Sequence, residues 1–129
     1  MKMPYVLIID DEPVIRDSLA AYLEDFNFRV LTSNDAETAL VMLEKEAADA
    51  IVVDVHLPGI NGMEFIHSVY NKYEKTVFFI YTGSPDFDLY RNIAELPRVF
   101  PRILAKPICD LSALVTSLHR MLDSRTGQE

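Results

Sequence analysis

The chain has 129 residues, half of them hydrophobic, which fits a single domain around one continuous core and leaves no room for a second of similar size. Its 20 acidic and 12 basic side chains give a net charge of −8, a surface that repels nucleic-acid phosphates and anionic lipid and so argues against direct DNA or membrane binding. No apolar run approaches the roughly 18 to 20 residues needed to cross a bilayer and no cleavable signal layout opens the chain, so a soluble, cytoplasmic protein is expected.

The first apolar run, residues 5–9, shows no alternation, as expected of a strand covered on both faces and paired in parallel. Ile15, Leu19, Tyr22 and Phe26 then recur at helical spacing, and residues 28–32 form a weaker strand. Asn34 precedes Glu37 by three positions, as in a capping box, ahead of a stripe of Ala36, Leu40, Leu43 and Ala47. Residues 50–53 repeat the unbroken apolar pattern. Asn61 and Glu64 offer a second capping box before Met63, Ile66, Tyr70 and Tyr73. After the apolar run 77–81, Ser84 and Pro85 read as a cap and a first-turn proline. Pro97 and Pro101 cannot sit inside a regular helix, so the fourth helix is expected to be short or broken before a strand at 103–105. Cys109, the one cysteine, cannot form an internal disulfide, fits a reducing compartment, and reads as a small buried hydrophobe. Leu111, Leu114, Leu118 and Leu122 mark a last helix. Residues 1–123 thus make one domain, and 124–129 a polar tail that is frayed or begins a linker to a further domain.

Strands alternating with helices imply an α/β fold, a doubly wound five-stranded parallel sheet with helices on both faces. Such sheets bind ligands at the carboxyl ends of their strands, where the strand order reverses. Those ends carry Asp10 and Asp11, then Asp54, then Thr82, and finally Lys106 with Pro107. Each alone has a plain structural reason, as a helix cap, a strand end or a sheet former. Together they bring acid, acid, hydroxyl and ammonium groups to one crevice, which those separate reasons do not explain. Two carboxylates about 4 Å apart repel by roughly 4 kcal/mol at an effective dielectric near 20, so cationic charge must answer them. Lys106 supplies part, and a hard divalent ion with oxygen ligands, magnesium or manganese, supplies the rest. A phosphoryl group could then approach Asp54 as nucleophile, between the metal and Lys106 with Thr82 as a further donor, and form an acyl phosphate.

Asp10-Asp11, the stretch Asp54-Val55-His56-Leu57-Pro58-Gly59-Ile60-Asn61-Gly62, Thr82 and Lys106-Pro107 resemble the signature of the receiver domains of two-component response regulators, in order and over almost the whole chain. The resemblance implies a flavodoxin-like receiver fold and a phosphorelay switch whose catalytic set is Asp54, Thr82 and Lys106, with Asp54 phosphorylated. It implies a metal held by Asp10, Asp11 (directly), Asp54 and the backbone carbonyl of His56. Pro58 and Gly62 match the turn after the acceptor strand. The implied donor is a histidine kinase or histidine phosphotransfer protein, with an output domain, a partner protein or a homodimer downstream. Such a protein is not a turnover enzyme on external substrates but catalyses its own phosphorylation and dephosphorylation.

Two departures stand out. The family's switch aromatic, three residues before the lysine, is Ile103 here, and residues 95–102 replace the usual approach to the last strand, so Pro97, Phe100 and Pro101 suggest a different partner surface. His56 and Ser84 stand where the family tunes water access to the phosphoryl group. The three histidines, His56, His67 and His119, share no face with another metal ligand and read as surface or packed groups. Alternative functions are an aspartate-nucleophile phosphatase of the haloacid dehalogenase type, which needs an acid where His56 stands, an unphosphorylated interaction module, and a flavin binder, whose phosphate Asp10, Asp11 and Glu12 would repel.

Overall fold

The apolar runs become strands in the computed structural model, which describes residues 3–57, 59–83, 92, 93 and 95–127. β1 (Tyr5–Ile9), β2 (Arg29–Ser33), β3 (Ala50–Asp54), β4 (Val77–Thr82) and β5 (Leu104–Ala105) form one sheet in the order β2-β1-β3-β4-β5. Every pairing is parallel, as the unbroken runs predict. Four helices are seen among the described residues, α1 (Pro13–Asp25), α2 (Ala36–Lys45), α3 (Gly62–Val69) and α4 (Leu111–Gly127).

The pleat divides the core in two. Leu7, Ile9, Ile51, Val53, Phe78 and Ile80 pack with Ala39, Leu43, Phe65 and Ile66 of α2 and α3. Val6, Ile8, Val52, Phe79 and Tyr81 pack with Leu19, Leu23, Leu114 and Leu118 of α1 and α4. Every residue of β1, β3 and β4 is buried, at roughly 2 kcal/mol for each large apolar side chain, so these three strands anchor the molecule. The helical stripes follow their spacing, except that Phe26 and Ala47 are exposed while Leu23, Phe65 and Val69 are buried.

Local signals set the ends. Pro13 occupies the first turn of α1, and Asn27, with φ of 69°, closes it: its amide reaches the Glu24 carbonyl while that of Phe28 reaches Leu23. α2 corrects the expected cap by one residue. Asp35, not Asn34, accepts the Thr38 amide at 2.7 Å, while Asn34 accepts from the Arg16 guanidinium and Glu37 accepts the Ile60 amide at 3.2 Å. The Asn61–Glu64 capping box is present as predicted, with bonds of 2.9 and 3.2 Å. A Cβ on Gly62 would lie 2.6 Å from both the Asp54 carbonyl oxygen and Val55 Cα, so only glycine lets α3 start this close to the end of β3.

Pro58, Ser84 and Pro85 lie outside the described residues, as does most of the expected fourth helix, of which Asn92 and Ile93 are seen to be helical. The proline segment runs back along β4. The Phe78 amide donates to the Arg98 carbonyl and that of Phe100 to the Phe78 carbonyl, both at 2.8 Å, and the Phe100 ring stacks on Phe79 at 4.9 Å, so it serves the core. Val99 pairs with Phe78 and Leu104 with Tyr81, so this edge spends two more residues than β4 between those points and bulges around Pro101. Cys109 is exposed, against expectation, because the turn into α4 directs its neighbour Ile108 toward the α1 and α4 core instead. α4 also runs on to Gly127 rather than fraying at Ser124, tied down by Arg125 on the Lys75 carbonyl at 2.8 Å and the Asp49 carboxylate at 2.9 Å.

Removing the cap with Asn61→Ala should cost about 1 kcal/mol in urea unfolding. Gly62→Ala, which forces backbone apart beside Asp54, should cost more; an equal or smaller loss would contradict the crowding described here.

Candidate functional site

The register brings the strand ends together. Ile9 pairs with Val53, so Asp10 emerges beside Asp54; Asp54 pairs with Tyr81, and Thr82 with Ala105, which immediately precedes Lys106. Side chains alternate along a strand, so Asp10, Asp54, Tyr81 and Lys106 leave the sheet on its α1 and α4 face, whereas Thr82 follows the parity of Ile80. β1 is where the strand order reverses, and the crevice beside it is where the topology places a ligand.

Lys106 is the hub. Its Nζ donates to Asp54 Oδ2 at 2.9 Å, lies 3.1 Å from Asp10 Oδ2 and 3.2 Å from Asp10 Oδ1, and also donates to Glu12 Oε1. Its side chain is only 4% exposed and its amide donates to the Thr82 carbonyl at 2.9 Å. Asp54 Oδ1 accepts the His56 amide at 2.9 Å, Asp10 Oδ1 accepts the Glu12 amide at 3.0 Å, and Asp10 Oδ2 accepts the Tyr81 hydroxyl at 2.6 Å. Thr82 is wholly buried.

Burial pushes the Asp54 carboxyl above the ordinary aspartate range, with Asp10 adding to the rise and the His56 amide and Lys106 only partly offsetting it. Burial works against the Lys106 ammonium, but its bonds to Glu12, Asp54 and Asp10 outweigh that and hold it above the usual lysine value. Tyr81 is likewise pushed up, by burial first and then by its bond to Asp10.

Of the residues read from the sequence, the structure gathers Asp10, Asp54 and Lys106, with Thr82 on the adjoining strand end. Carboxylate oxygens of Asp10, Glu12 and Asp54 lie within 4.8 Å of one another; Asp11 is exposed and outside that group, and the His56 imidazole is exposed while its backbone amide serves Asp54. Three carboxylates against one ammonium leave an excess of negative charge on hard oxygen donors, a donor set that suits a magnesium-type ion. Glu12 and Tyr81 join the site beyond the residues that the strand-end rule predicts. The signals are short-range: Glu12 continues the acidic pair, and Tyr81 is a polar-tipped aromatic two residues beyond Phe79 on the face of Asp54.

The sequence matches the response regulator receiver domain family over residues 6–119. The chain belongs to that family. It is 30% identical over 90 residues, 70% of its length, to a cyclic di-GMP phosphodiesterase of Thermotoga maritima, of which it spans 24%. It is 29% identical over 127 residues, 97% of its length, to the transcriptional regulatory protein FixJ of Bradyrhizobium diazoefficiens, of which it spans 61%. The receiver domain thus covers less than two thirds of either relative. Its fold superposes on the signal receiver domain of an HD domain-containing protein from Pseudomonas fluorescens with a TM-score of 0.87, at 25% identity, over 98% of this chain and all of that one. Receiver domains of response regulators work as two-component signalling switches rather than as turnover enzymes. Among the described residues, no helix is long and apolar enough to cross a membrane. Ile103, in place of the family's aromatic, packs against the α2 and α3 side of the core.

The raised Asp54 value has a consequence for stability. Between the unfolded and folded titration ranges the folded receiver holds the extra proton, so stability falls as pH rises through the folded value. In the metal-free protein, Asp54→Asn should therefore be more stable than wild type in neutral solution, with the gap closing in acid once both states are protonated. A gap that widens in acid would refute the assignment.

Proposed function

We propose that this receiver domain accepts a phosphoryl group on Asp54, and that the observation carrying this reading is the pairing of the buried Asp54 carboxylate with Lys106 at 2.9 Å in an acidic crevice. An Asp54 oxygen attacks phosphorus as the bond to the donor's leaving group breaks, and the leaving group departs with that electron pair. Lys106, already at the acceptor, shifts onto a phosphoryl oxygen and offsets its charge. Thr82, on the opposite pleat at the next strand end, would offer its hydroxyl by turning toward the phosphoryl group, and the His56 amide holds the other Asp54 oxygen in place. Hydrolysis reverses the gain: water attacks phosphorus, the bond to Asp54 breaks, and the carboxylate is restored. The domain thus catalyses its own phosphorylation and dephosphorylation.

Asp10, Asp11, Asp54 and the His56 carbonyl would hold magnesium or manganese, with Glu12 close by. When bound, the ion supplies positive charge to the phosphoryl oxygens. The donor fitting this chemistry is a phosphohistidine, carried by a histidine kinase or a histidine phosphotransfer protein, and the setting we propose with it is a cytoplasmic phosphorelay. The added charge then shifts packing around Thr82, read by an output domain, a partner protein or a second copy.

Incubation with acetyl phosphate and magnesium should add the mass of one phosphoryl group to wild type and none to Asp54→Ala. An unmodified wild type, or a modified Asp54→Ala, would overturn the reading.

A further inference from the structure

Asp10 receives its hydrogen bonds from unequal sources. Lys106 is shared among three carboxylates and, on the reading above, is needed by the incoming phosphoryl group. The Glu12 amide holds only Oδ1, at 3.0 Å. Tyr81 holds Oδ2, at 2.6 Å, and has no competing duty. Its side chain is wholly buried, its hydroxyl has this carboxylate as partner, and its ring lies 5.2 Å from the Lys106 ammonium. With Ile15, Leu19, Pro107 and Ile108 the ring lines a cavity of about 250 Å³, and its place is set by the hydroxyl bond to Asp10 and by the strand that carries it. Parity reinforces the point, because Tyr81 rather than Thr82 is the β4 residue on the face of Asp10 and Asp54.

We infer that Tyr81 is a positioning residue of the acid site, whose hydroxyl keeps the Asp10 carboxylate oriented toward a divalent cation while Lys106 is drawn away to the phosphoryl group. A ligand carboxylate held by an outer hydrogen bond binds its ion more tightly, because the geometry is set before the ion arrives. The inference rests on the proposed metal-assisted phosphoacceptor role.

Tyr81→Phe removes one oxygen and keeps the ring. Magnesium binding by calorimetry should weaken about 10-fold in this variant. Its phosphorylation rate by acetyl phosphate should stay within about twofold of wild type once magnesium saturates, so that the loss lies in the metal midpoint and not in the saturated rate. An unchanged magnesium dissociation constant, or a saturated rate that falls as far as the affinity, overturns the inference. A wild type that binds magnesium but takes up no phosphoryl group would instead defeat the proposed function and leave the Tyr81 assignment standing on the binding data. Should the variant not fold, fluorotyrosine-labelled wild type carries the test: the Tyr81 fluorine resonance should move with magnesium at the midpoint of the His56 amide, and a resonance unmoved at saturation overturns the inference.

Discussion

One ammonium group set among three carboxylates is the constraint on which the acid site depends. Lys106 meets Asp54, Asp10 and Glu12 at once, and a single positive charge cannot balance them. Like charges this close repel by roughly 4 kcal/mol per pair at an effective dielectric near 20, and burial strengthens the effect. The sheet pays for the arrangement. Strands β1, β3 and β4 are buried along their full length, and their parallel register leaves the acids no route apart.

That imbalance is what makes the site useful. A carboxylate crowded by other acids and stripped of water draws cationic charge into the crevice, and that same charge can answer the oxygens of an incoming anion. Of the three members carried at strand ends, Lys106 stands on the shortest strand. It follows a two-residue strand paired only through Tyr81–Leu104 and Thr82–Ala105, while Asp10 and Asp54 stand at the ends of central strands.

The parts legible in the sequence were those set by short-range pattern. Unbroken apolar runs marked β1, β3 and β4, the Asn61–Glu64 spacing marked the start of α3, and the strand-end rule led from those runs to Asp10, Asp54 and Thr82 and from the short last strand to Lys106. What the pattern could not reveal depended on contacts distant in sequence. Asp35 displaced Asn34 as a cap because Arg16 from α1 occupies Asn34. Glu12 enters the site because Lys106 reaches it from 94 positions away. Tyr81 looked like core, and it is core on one side, but its hydroxyl ends at a carboxylate 71 positions away. Arg125 holds a helical end that composition alone marks as loose, through groups on two other loops.

The proline segment shows how an irregular stretch can leave a site intact. Between its pairings with Phe78 and Tyr81 the edge carries two surplus residues, and two is an even number. Phe100 can therefore stack on Phe79 before the bulge, and Leu104 can still return to the same core after it. Because successive side chains point to opposite faces, a single surplus residue would have turned everything beyond it over, sending the side chain of residue 106 to the α2 and α3 side and away from Asp54. With the offset at two, the segment can differ in sequence and shape while the ammonium still arrives 2.9 Å from the acceptor. The constraint on this edge is thus one of parity more than of residue type, which is why a stretch so unlike a regular strand precedes a lysine that still reaches Asp54.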